Sequence, residues 1–288
     1  MVALVHAQGA KGAQRTAYRY VATKGLGADP HPPQISRIVQ RPWRWTQHRA
    51  PVTLRQMIAT IILLLLAALP ASAENHRTPL PPLTEAEASA FPAIGRNVRP
   101  ADPDGGFCSG TLVAPNIVLT AAHCASGKTR RNVANQPHFL AGAFNSETAA
   151  RRRIVQSLRH PSYPTDGTHL PDFDVGLWIL DSPITDIAPI EIGRPDTDQF
   201  ALLGYHHLLP FRLSGRIDCP LRRKGTSGLI LVGCQVISGN SGGPLLQIDA
   251  GTATLVAVTS SQAGPNAIAV PVGAWARQMI ETHRSDKD

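Results

Sequence analysis

From residue 93 onward, the sequence is divided into short apolar stretches separated by turn-forming residues. The stretches are rich in β-branched residues, and Gly, Pro, Asn or Asp bounds them. Examples are Gly110 to Val113, Ile117 to Ala121, Phe139 to Ala141, Arg153 to Leu158, Val175 to Leu180, Leu229 to Val236 and Thr254 to Thr259. Runs of this length and spacing are typical of strands in a barrel or sandwich. The sequence therefore predicts an all-β fold.

The last segment of the chain has the hydrophobic period of a helix and not that of a strand. Between Val272 and Thr282, the side chains of Trp275, Met279 and Ile280 fall on roughly one face of a helix. We therefore expect a short C-terminal helix. The hydrophobic share of 43% and the charged share of 17% exclude a disordered chain.

The apolar run from Ile58 to Leu69 has the pattern of a secretory signal peptide. Arg55 precedes the run, and the small residues Ala71, Ser72 and Ala73 follow it. This pattern predicts a signal peptide over residues 52–73, cleaved after Ala73. An uncleaved membrane anchor is the alternative, although a spanning helix needs about 20 apolar residues and this run is shorter.

The segments on either side of the signal peptide carry weaker signals. Residues 1–51 show no sustained strand or helix period, and we interpret them as sequence upstream of the true start, which Val52 or Met57 would mark. A real basic extension, such as an Arg-rich transit peptide, is the alternative. Residues 74–92 are rich in Pro and Ala and are interpreted as a linker or a short pro-segment.

The excess of basic over acidic residues lies in the first quarter of the chain. The formal net charge is +8, from 28 Lys and Arg against 20 Asp and Glu. Residues 1–73 contain 9 of these bases and 1 acid, which leaves 19 of each in residues 74–288. A charge-driven binder would carry the excess on its folded part. We expect no nucleic-acid partner, and no stable membrane association after signal cleavage.

Three motifs carry the residues that nucleophilic catalysis requires. They are LTAAHC at 119–124, DVGL at 174–177 and GNSGGP at 239–244. A serine hydroxyl is a weak nucleophile, so a base must take its proton during the attack, and imidazole titrates near neutral pH. A carboxylate holds that imidazole in the correct tautomer. His123 and Ser241 are the candidates for base and nucleophile, with Asp174 or the nearby Asp172 as the carboxylate.

The motifs TAAHC and GNSGGP, with CSGTL at 108–112, resemble those of the chymotrypsin/trypsin-like serine proteases. The resemblance covers about residues 93–280 and is greatest to compact bacterial secreted members near the glutamyl endopeptidases. It implies two six-stranded antiparallel β-barrels, about 93–190 and 191–271, with a catalytic cleft between them. It also implies that no metal or other cofactor takes part in the chemistry.

The same resemblance assigns roles at the cleft. The DVGL motif matches the family's pattern around its catalytic aspartate, which favours Asp174 over Asp172, although both would face the same side of a strand. The oxyanion hole would consist of the backbone N–H groups of Gly239 and Ser241. These roles imply hydrolysis of peptide bonds through an acyl-enzyme on Ser241, with His123 as general base.

The four cysteines suit two disulfides in an oxidising compartment. The resemblance implies that Cys108 pairs with Cys124, and Cys219 with Cys234. Each pair closes a loop of about 15 residues, worth roughly 3 kcal/mol by chain entropy. A zinc site is the alternative, but no C-x-x-C or H-x-x-x-H spacing supports it.

The chain departs from the digestive enzymes of the family beside the nucleophile. Those enzymes place an aspartate just before the catalytic serine, and a newly cut N-terminus folds in to pair with it. Here that residue is the neutral Asn240, and no basic residue followed by Ile-Val-Gly-Gly is present. A buried ammonium would have no charged partner. We therefore expect that activation does not depend on such an ion pair.

The resemblance assigns the specificity pocket to Gln235, Thr259, Ser260 and Gln262. Gln235 stands where trypsin-like enzymes place Asp, which argues against a strict Arg or Lys preference. Thr259 stands where glutamyl-specific relatives place His, and Gln262 stands where a Gly usually admits a large side chain. We expect a small or neutral residue before the scissile bond.

These features predict a serine endopeptidase that is secreted or periplasmic, monomeric and active on polypeptides. The alternative is a catalytically inactive, protease-like binding module that keeps the barrels without the chemistry.

Overall fold

The computed structural model describes residues 78–100, 102–103, 107–125 and 136–285. The predicted signal peptide, residues 52–73, and the segment 1–51 lie outside this part of the chain. None of the helices formed by the described residues is both long enough and apolar enough to cross a membrane.

The first barrel consists of six antiparallel strands in the closed order β1-β2-β3-β6-β5-β4. The strands are β1 (Ile94–Val98), β2 (Ser109–Ala114), β3 (Ile117–Thr120), β4 (His138–Ala141), β5 (Ala150–Arg159) and β6 (Gly176–Leu180). Every residue of β3 and β6 is buried. Their sequences are accordingly continuous apolar runs and do not alternate between apolar and polar residues. They pair with Thr120 opposite Gly176, and their ends carry two of the candidate site residues.

The second barrel has the closed order β10-β11-β12-β9-β8-β7. Its strands are β7 (Gln199–His206), β8 (Leu209–Lys224), β9 (Ile230–Val232), β10 (Pro244–Asp249), β11 (Thr252–Ala263) and β12 (Asn266–Pro271). The prediction of an all-β chain with two six-stranded antiparallel barrels is confirmed. The expected strand from Leu229 to Val236 is shorter, because the chain turns at Gly233 and Cys234 after β9.

Residues 78–83, which we call the N-terminal strap, are bound along the second barrel. Pro79 forms a parallel β-bridge with Gln235, and Pro82 forms an antiparallel bridge with Ser214. Leu80 is only 2% exposed and packs into the core of this barrel. This part of the segment 74–92 is therefore packed against the second barrel.

A short helix follows the strap, and another ends the described chain. Helix α1 (Glu85–Ser89) begins with a capping box between Thr84 and Glu87. Helix α2 (Ala274–His283) is the predicted C-terminal helix, and it buries Ala276 and Ile280. Asn116 of the first barrel donates to the carbonyl of His283 at 2.9 Å, so α2 joins the last strand of the second barrel to the first barrel.

Two disulfides brace the barrels, in the pairing that the resemblance implied. Cys108, just before β2, is bonded to Cys124 in the turn after β3. Cys219 on β8 is bonded to Cys234, which follows β9. The first disulfide therefore lies next to His123. The second joins β8 to the chain segment that leads from β9 to Ser241.

Candidate active site

The turn after β3 and the residues just before β6 bring His123 and Asp174 into contact. Asp174 ends a 3₁₀ helix, Pro171–Phe173, and its backbone N–H donates to the carbonyl of Pro171. His123 Nδ1 donates to Asp174 Oδ2 at 2.8 Å, and the backbone N–H of His123 donates to Oδ1 at 2.9 Å. These two bonds fix the orientation of the imidazole ring and place its Nδ1 on the carboxylate.

Asp174 is fully buried, yet the surroundings favour its ionised form. Burial alone raises the pKa of a carboxyl group, but the hydrogen bonds and charge of His123 and the hydroxyl of Ser260 outweigh that effect. The pKa of Asp174 is therefore below its usual value. The Ser260 hydroxyl donates to Asp174 Oδ2 at 2.6 Å, a short bond typical of a charged acceptor.

The alternative carboxylate, Asp172, is placed differently from the expectation. It belongs to the 3₁₀ helix Pro171–Phe173 and not to a strand. The alternation of side chains along a strand, which would have placed it on the same side as Asp174, therefore does not apply. Its Oδ1 atom is buried and has no hydrogen-bond partner among the described residues. Of the two carboxylates, it is Asp174 that contacts His123.

Ser241 lies in the turn between β9 and β10, and it faces the same serine that contacts Asp174. Ser241 Oγ donates to the carbonyl oxygen of Ser260 over 3.5 Å. Gly242, with φ +82°, follows it, and a β-carbon there would overlap the carbonyl oxygen of Ser109 and the hydroxyl of Thr120. The tight approach of the turn to the first barrel thus requires glycine.

The peptide before Gly239 is oriented by its neighbours. The carbonyl of Ser238 accepts a hydrogen bond of 3.0 Å from the backbone N–H of His207. Because C=O and N–H point in opposite directions in a trans peptide, the N–H of Gly239 points away from His207. Within the described chain, neither this N–H nor that of Ser241 donates to a protein group, so both are available to an oxyanion.

A cavity of about 250 Å³ lies beside Ser241. Its other lining residues are Val236, Ile237, Ser238, Thr259, Ser260, Ser261 and Gln262. Three of the four residues predicted for a specificity pocket, Thr259, Ser260 and Gln262, are therefore at this cavity. Gln235 is not among the described residues that line it, although its neighbour Val236 is; Gln235 forms the β-bridge to Pro79.

His169 was not predicted, yet it borders the same group of side chains. Its Nε2 lies 3.3 Å from Ser260 Oγ, and its Nδ1 lies 3.2 Å from the hydroxyl of Tyr163 and 3.9 Å from Asp174 Oδ2. Its ring centroid is 5.5 Å from that of His123, edge to face. No motif precedes or follows His169, so only the folded chain reveals this contact.

Two groups of side chains at the site have donor atoms close enough to bind a metal ion. Cys108 and Cys124 flank His123, but their sulfurs are joined in the disulfide and are not available as thiolates. The donor atoms of His123, His169 and Asp174 lie within 4.8 Å of one another. A cation at this second group would compete with the hydrogen bonds that His123 and Ser260 donate to Asp174.

Comparison with known proteins places these residues in a family context. The family model described as Trypsin matches residues 84–277. A trypsin from Saccharopolyspora erythraea is 33% identical over 102 residues, which are 34% of this chain and 41% of that protein. A glucanase inhibitor protein 1 from Phytophthora infestans is 27% identical over 99 residues, 34% of this chain and 36% of that protein. These matches span less than half the length of either relative.

A solved structure of a Glu endopeptidase in complex with MPD shares the fold. It aligns with a TM-score of 0.56 over 70% of this chain and 94% of that chain, at 18% sequence identity. This similarity supports the double-barrel architecture.

Proposed function

Because the chain belongs to the trypsin family, whose model matches residues 84–277, we propose that it is a serine endopeptidase. The observation that carries the proposal is the contact between His123 and the buried, ionised Asp174, which Ser260 links to Ser241. A buried carboxylate of lowered pKa that orients a histidine is a part of the arrangement that acyl transfer to a serine requires.

In the proposed reaction, His123 removes the proton of Ser241 as the hydroxyl oxygen attacks the carbonyl carbon of a peptide bond. Asp174 stabilises the imidazolium that forms, and His123 then gives the proton to the leaving amine. The N–H groups of Gly239 and Ser241 stabilise the oxyanion of the tetrahedral intermediate. Water then hydrolyses the acyl-enzyme, with His123 again as the base.

The cavity beside Ser241 supports a preference for a small or neutral residue before the scissile bond. Val236, Ile237, Thr259 and Ser261 bring apolar groups and hydroxyls to its wall. None of them offers the charge that a strict preference for a basic or acidic residue would require. The substrate class that we propose is therefore polypeptides with uncharged residues at that position.

The two disulfides support an oxidising, extracytoplasmic location. Together with the signal-peptide pattern of residues 52–73, they favour a secreted or periplasmic enzyme. We propose that it acts as a monomer, without nucleic acid or a metal cofactor.

The proposal is tested with the purified mature chain and the variant Ser241→Ala. The wild type is expected to react covalently with a fluorophosphonate probe and to hydrolyse peptides, whereas Ser241→Ala does neither. Ser227→Ala, at an exposed serine between β8 and β9, is the matched control and retains both reactions. Labelling that persists in Ser241→Ala would show that another residue is the nucleophile.

A protease-like binding module without activity is the second candidate function. The similarity to a relative named as a glucanase inhibitor favours it. The same experiment separates the two candidates, because a binding module leaves the probe unreacted in the wild type although the protein is folded.

A further inference from the structure

Asn240 is a fully buried amide in the turn that carries Gly239 and Ser241. Its Oδ1 accepts a hydrogen bond of 2.9 Å from the backbone N–H of Ile237. Its Nδ2 donates a hydrogen bond of 3.1 Å to the carbonyl of Tyr205, on β7. The side chain therefore closes the turn and ties it to the second barrel.

Ser109, on β2, holds the same turn from the side of the first barrel. Its hydroxyl donates to the carbonyl of Gly239 at 2.8 Å and accepts from the N–H of Tyr205 at 2.8 Å. Its backbone N–H donates to the carbonyl of Ser241 at 2.8 Å. The carbonyls on both sides of Asn240 thus point into the protein, and the turn cannot shift without breaking several buried hydrogen bonds.

The hydrogen-bond partners of Asn240 within the described chain are all uncharged. They are backbone groups of Ile237, Tyr205 and Gly243. A neutral amide with one acceptor and one donor fits this environment, because each of its two polar atoms meets the complementary backbone group.

From this environment we infer that Asn240 is a positioning residue for the oxyanion hole. Its amide holds the N–H groups of Gly239 and Ser241 in place without a charged partner. The inference rests on the proposed function, since it concerns the same reaction.

The environment distinguishes an amide from a carboxylate of the same shape. In Asn240→Asp, one oxygen still accepts from Ile237, but the other faces the carbonyl oxygen of Tyr205 with no proton between them. Two acceptors at this distance repel each other, and a buried charge without a partner is costly. The turn is therefore expected to shift and to misalign the N–H groups of Gly239 and Ser241.

Protonation of that carboxyl would restore the original pattern. Burial next to a carbonyl oxygen raises the pKa of a carboxyl group, and the protonated acid has one donor and one acceptor, as the amide does. In Asn240→Asp, the ratio of variant to wild-type activity should therefore rise as the pH falls from about 8 to about 5. The ratio removes the titration of His123, which both proteins share.

The test measures kcat and KM for peptide hydrolysis by the wild type, Asn240→Asp and Asn240→Ala. Asn240→Asp is expected to lose about 10²- to 10³-fold in kcat with KM nearly unchanged, because an oxyanion donor acts on the transition state. Asn240→Ala removes both hydrogen bonds without adding a charge. It is also expected to lose kcat, but its ratio to the wild type should not change with pH.

Asn116 provides a matched control far from the cleft. It is also buried, its Nδ2 donates to the carbonyl of His283, and its Oδ1 accepts from the N–H of Ser285 at 3.0 Å. Asn116→Asp therefore creates the same conflict between two acceptors at helix α2. We expect it to lower the thermal midpoint and to leave kcat within about twofold of the wild type.

The outcomes separate this inference from the proposed function. A wild type that neither hydrolyses peptides nor reacts with a fluorophosphonate overturns both. An active wild type overturns the inference alone if kcat in Asn240→Asp stays within about threefold of the wild type, or falls no more than in Asn116→Asp. If Asn240→Asp does not fold, Asn240→Ala decides the inference. The inference then requires that Asn240→Ala has a lower kcat than the wild type and an unchanged KM.

Discussion

At Asp174, burial and hydrogen bonding act in opposite directions on a single carboxyl group. Burial raises its pKa, whereas His123 and Ser260 lower it, and the lowering is the larger effect. A carboxyl group whose pKa falls on folding stabilises the native state above its unfolded pKa of about 4. That contribution is lost as the pH falls through the lowered pKa of the folded state. The contribution is therefore complete in the pH range in which Asp174 is ionised, which is the form that the proposed reaction needs.

The first prediction compares the two carboxylates near the site. Asp174→Asn is expected to lower kcat about 10⁴-fold, because an amide cannot hold the histidine tautomer that accepts the serine proton. Asp172→Asn, two residues away, is the matched control and should remain within about twofold of the wild type. Steady-state hydrolysis of a peptide substrate measures both. Loss of turnover in Asp172→Asn, with Asp174→Asn unaffected, would reverse the assignment.

The individual residues show which parts of the site a sequence can reveal. His123, Asp174 and Ser241 lie in short motifs, so local sequence is enough to propose them. In the structure, Asp174 accepts hydrogen bonds from His123 and Ser260, and the carbonyl of Ser260 accepts from Ser241. The contact of Ser260 with Asp174 joins residues 86 positions apart, and that of His169 with Ser260 joins residues 91 positions apart. No local pattern encodes such contacts, which arise only when the two barrels pack together.

A continuous apolar run is a strong local signal for a strand, and proline or charge within the run weakens that signal. β3 and β6 are continuous apolar segments and were found. β8 (Leu209–Lys224) was missed, because it contains two prolines and six charged residues in its 16 positions. Proline removes a ladder donor and indicates an edge or a bulge, and this strand has a register shift just after Pro220. Tertiary pairing here outweighs local propensity.

The strap lies in the segment that the sequence interprets as a linker or short pro-segment, and the second prediction tests its role in stability. Leu80→Ala is expected to destabilise the protein by about 2–5 kcal/mol, because Leu80 is only 2% exposed and packs in the core of the second barrel. A loss of that size lowers the thermal midpoint by roughly 5–15 °C in a domain of this length. Differential scanning calorimetry of the mature chain measures it.

Leu208→Ala is the control for the strap, since Leu208 is 59% exposed. It should change the stability by less than about 0.5 kcal/mol. An equal thermal midpoint for Leu80→Ala and the wild type would show that the strap is not part of the stable fold, and would favour the interpretation of residues 74–92 as a removable pro-segment.

At the scale of the whole molecule, the proposed site draws on both barrels. His123 and Asp174 come from the first barrel, and Ser241 and Ser260 come from the second. A continuous apolar cluster joins the barrels, with Leu119 and Leu177 from the first and Leu203 and Val258 from the second. The resemblance predicted this architecture because its motifs belong to a known fold, whereas composition and periodicity alone led only to an all-β barrel or sandwich.

The last prediction concerns the charge of the whole product. Residues 1–73 carry nine bases and one acid, whereas residues 74–288 carry 19 of each. If cleavage follows Ala73, the secreted protein begins at Glu74 and has no net charge from these side chains. It should therefore pass through a cation exchanger at neutral pH and low salt, where a product that still contained all of residues 1–73, with its net charge of +8, would be retained.

N-terminal sequencing and ion-exchange chromatography of the secreted product test this together. Ala73→Arg is the matched variant, because signal cleavage needs a small residue at that position, and N-terminal sequencing of its product should give a start before residue 73. A secreted product that contains any peptide from residues 1–50 would contradict the interpretation of that segment. A product that begins at Glu74 and still binds the exchanger would show that its basic residues are concentrated on one face of the protein. The balanced charge count would then no longer exclude an anionic partner.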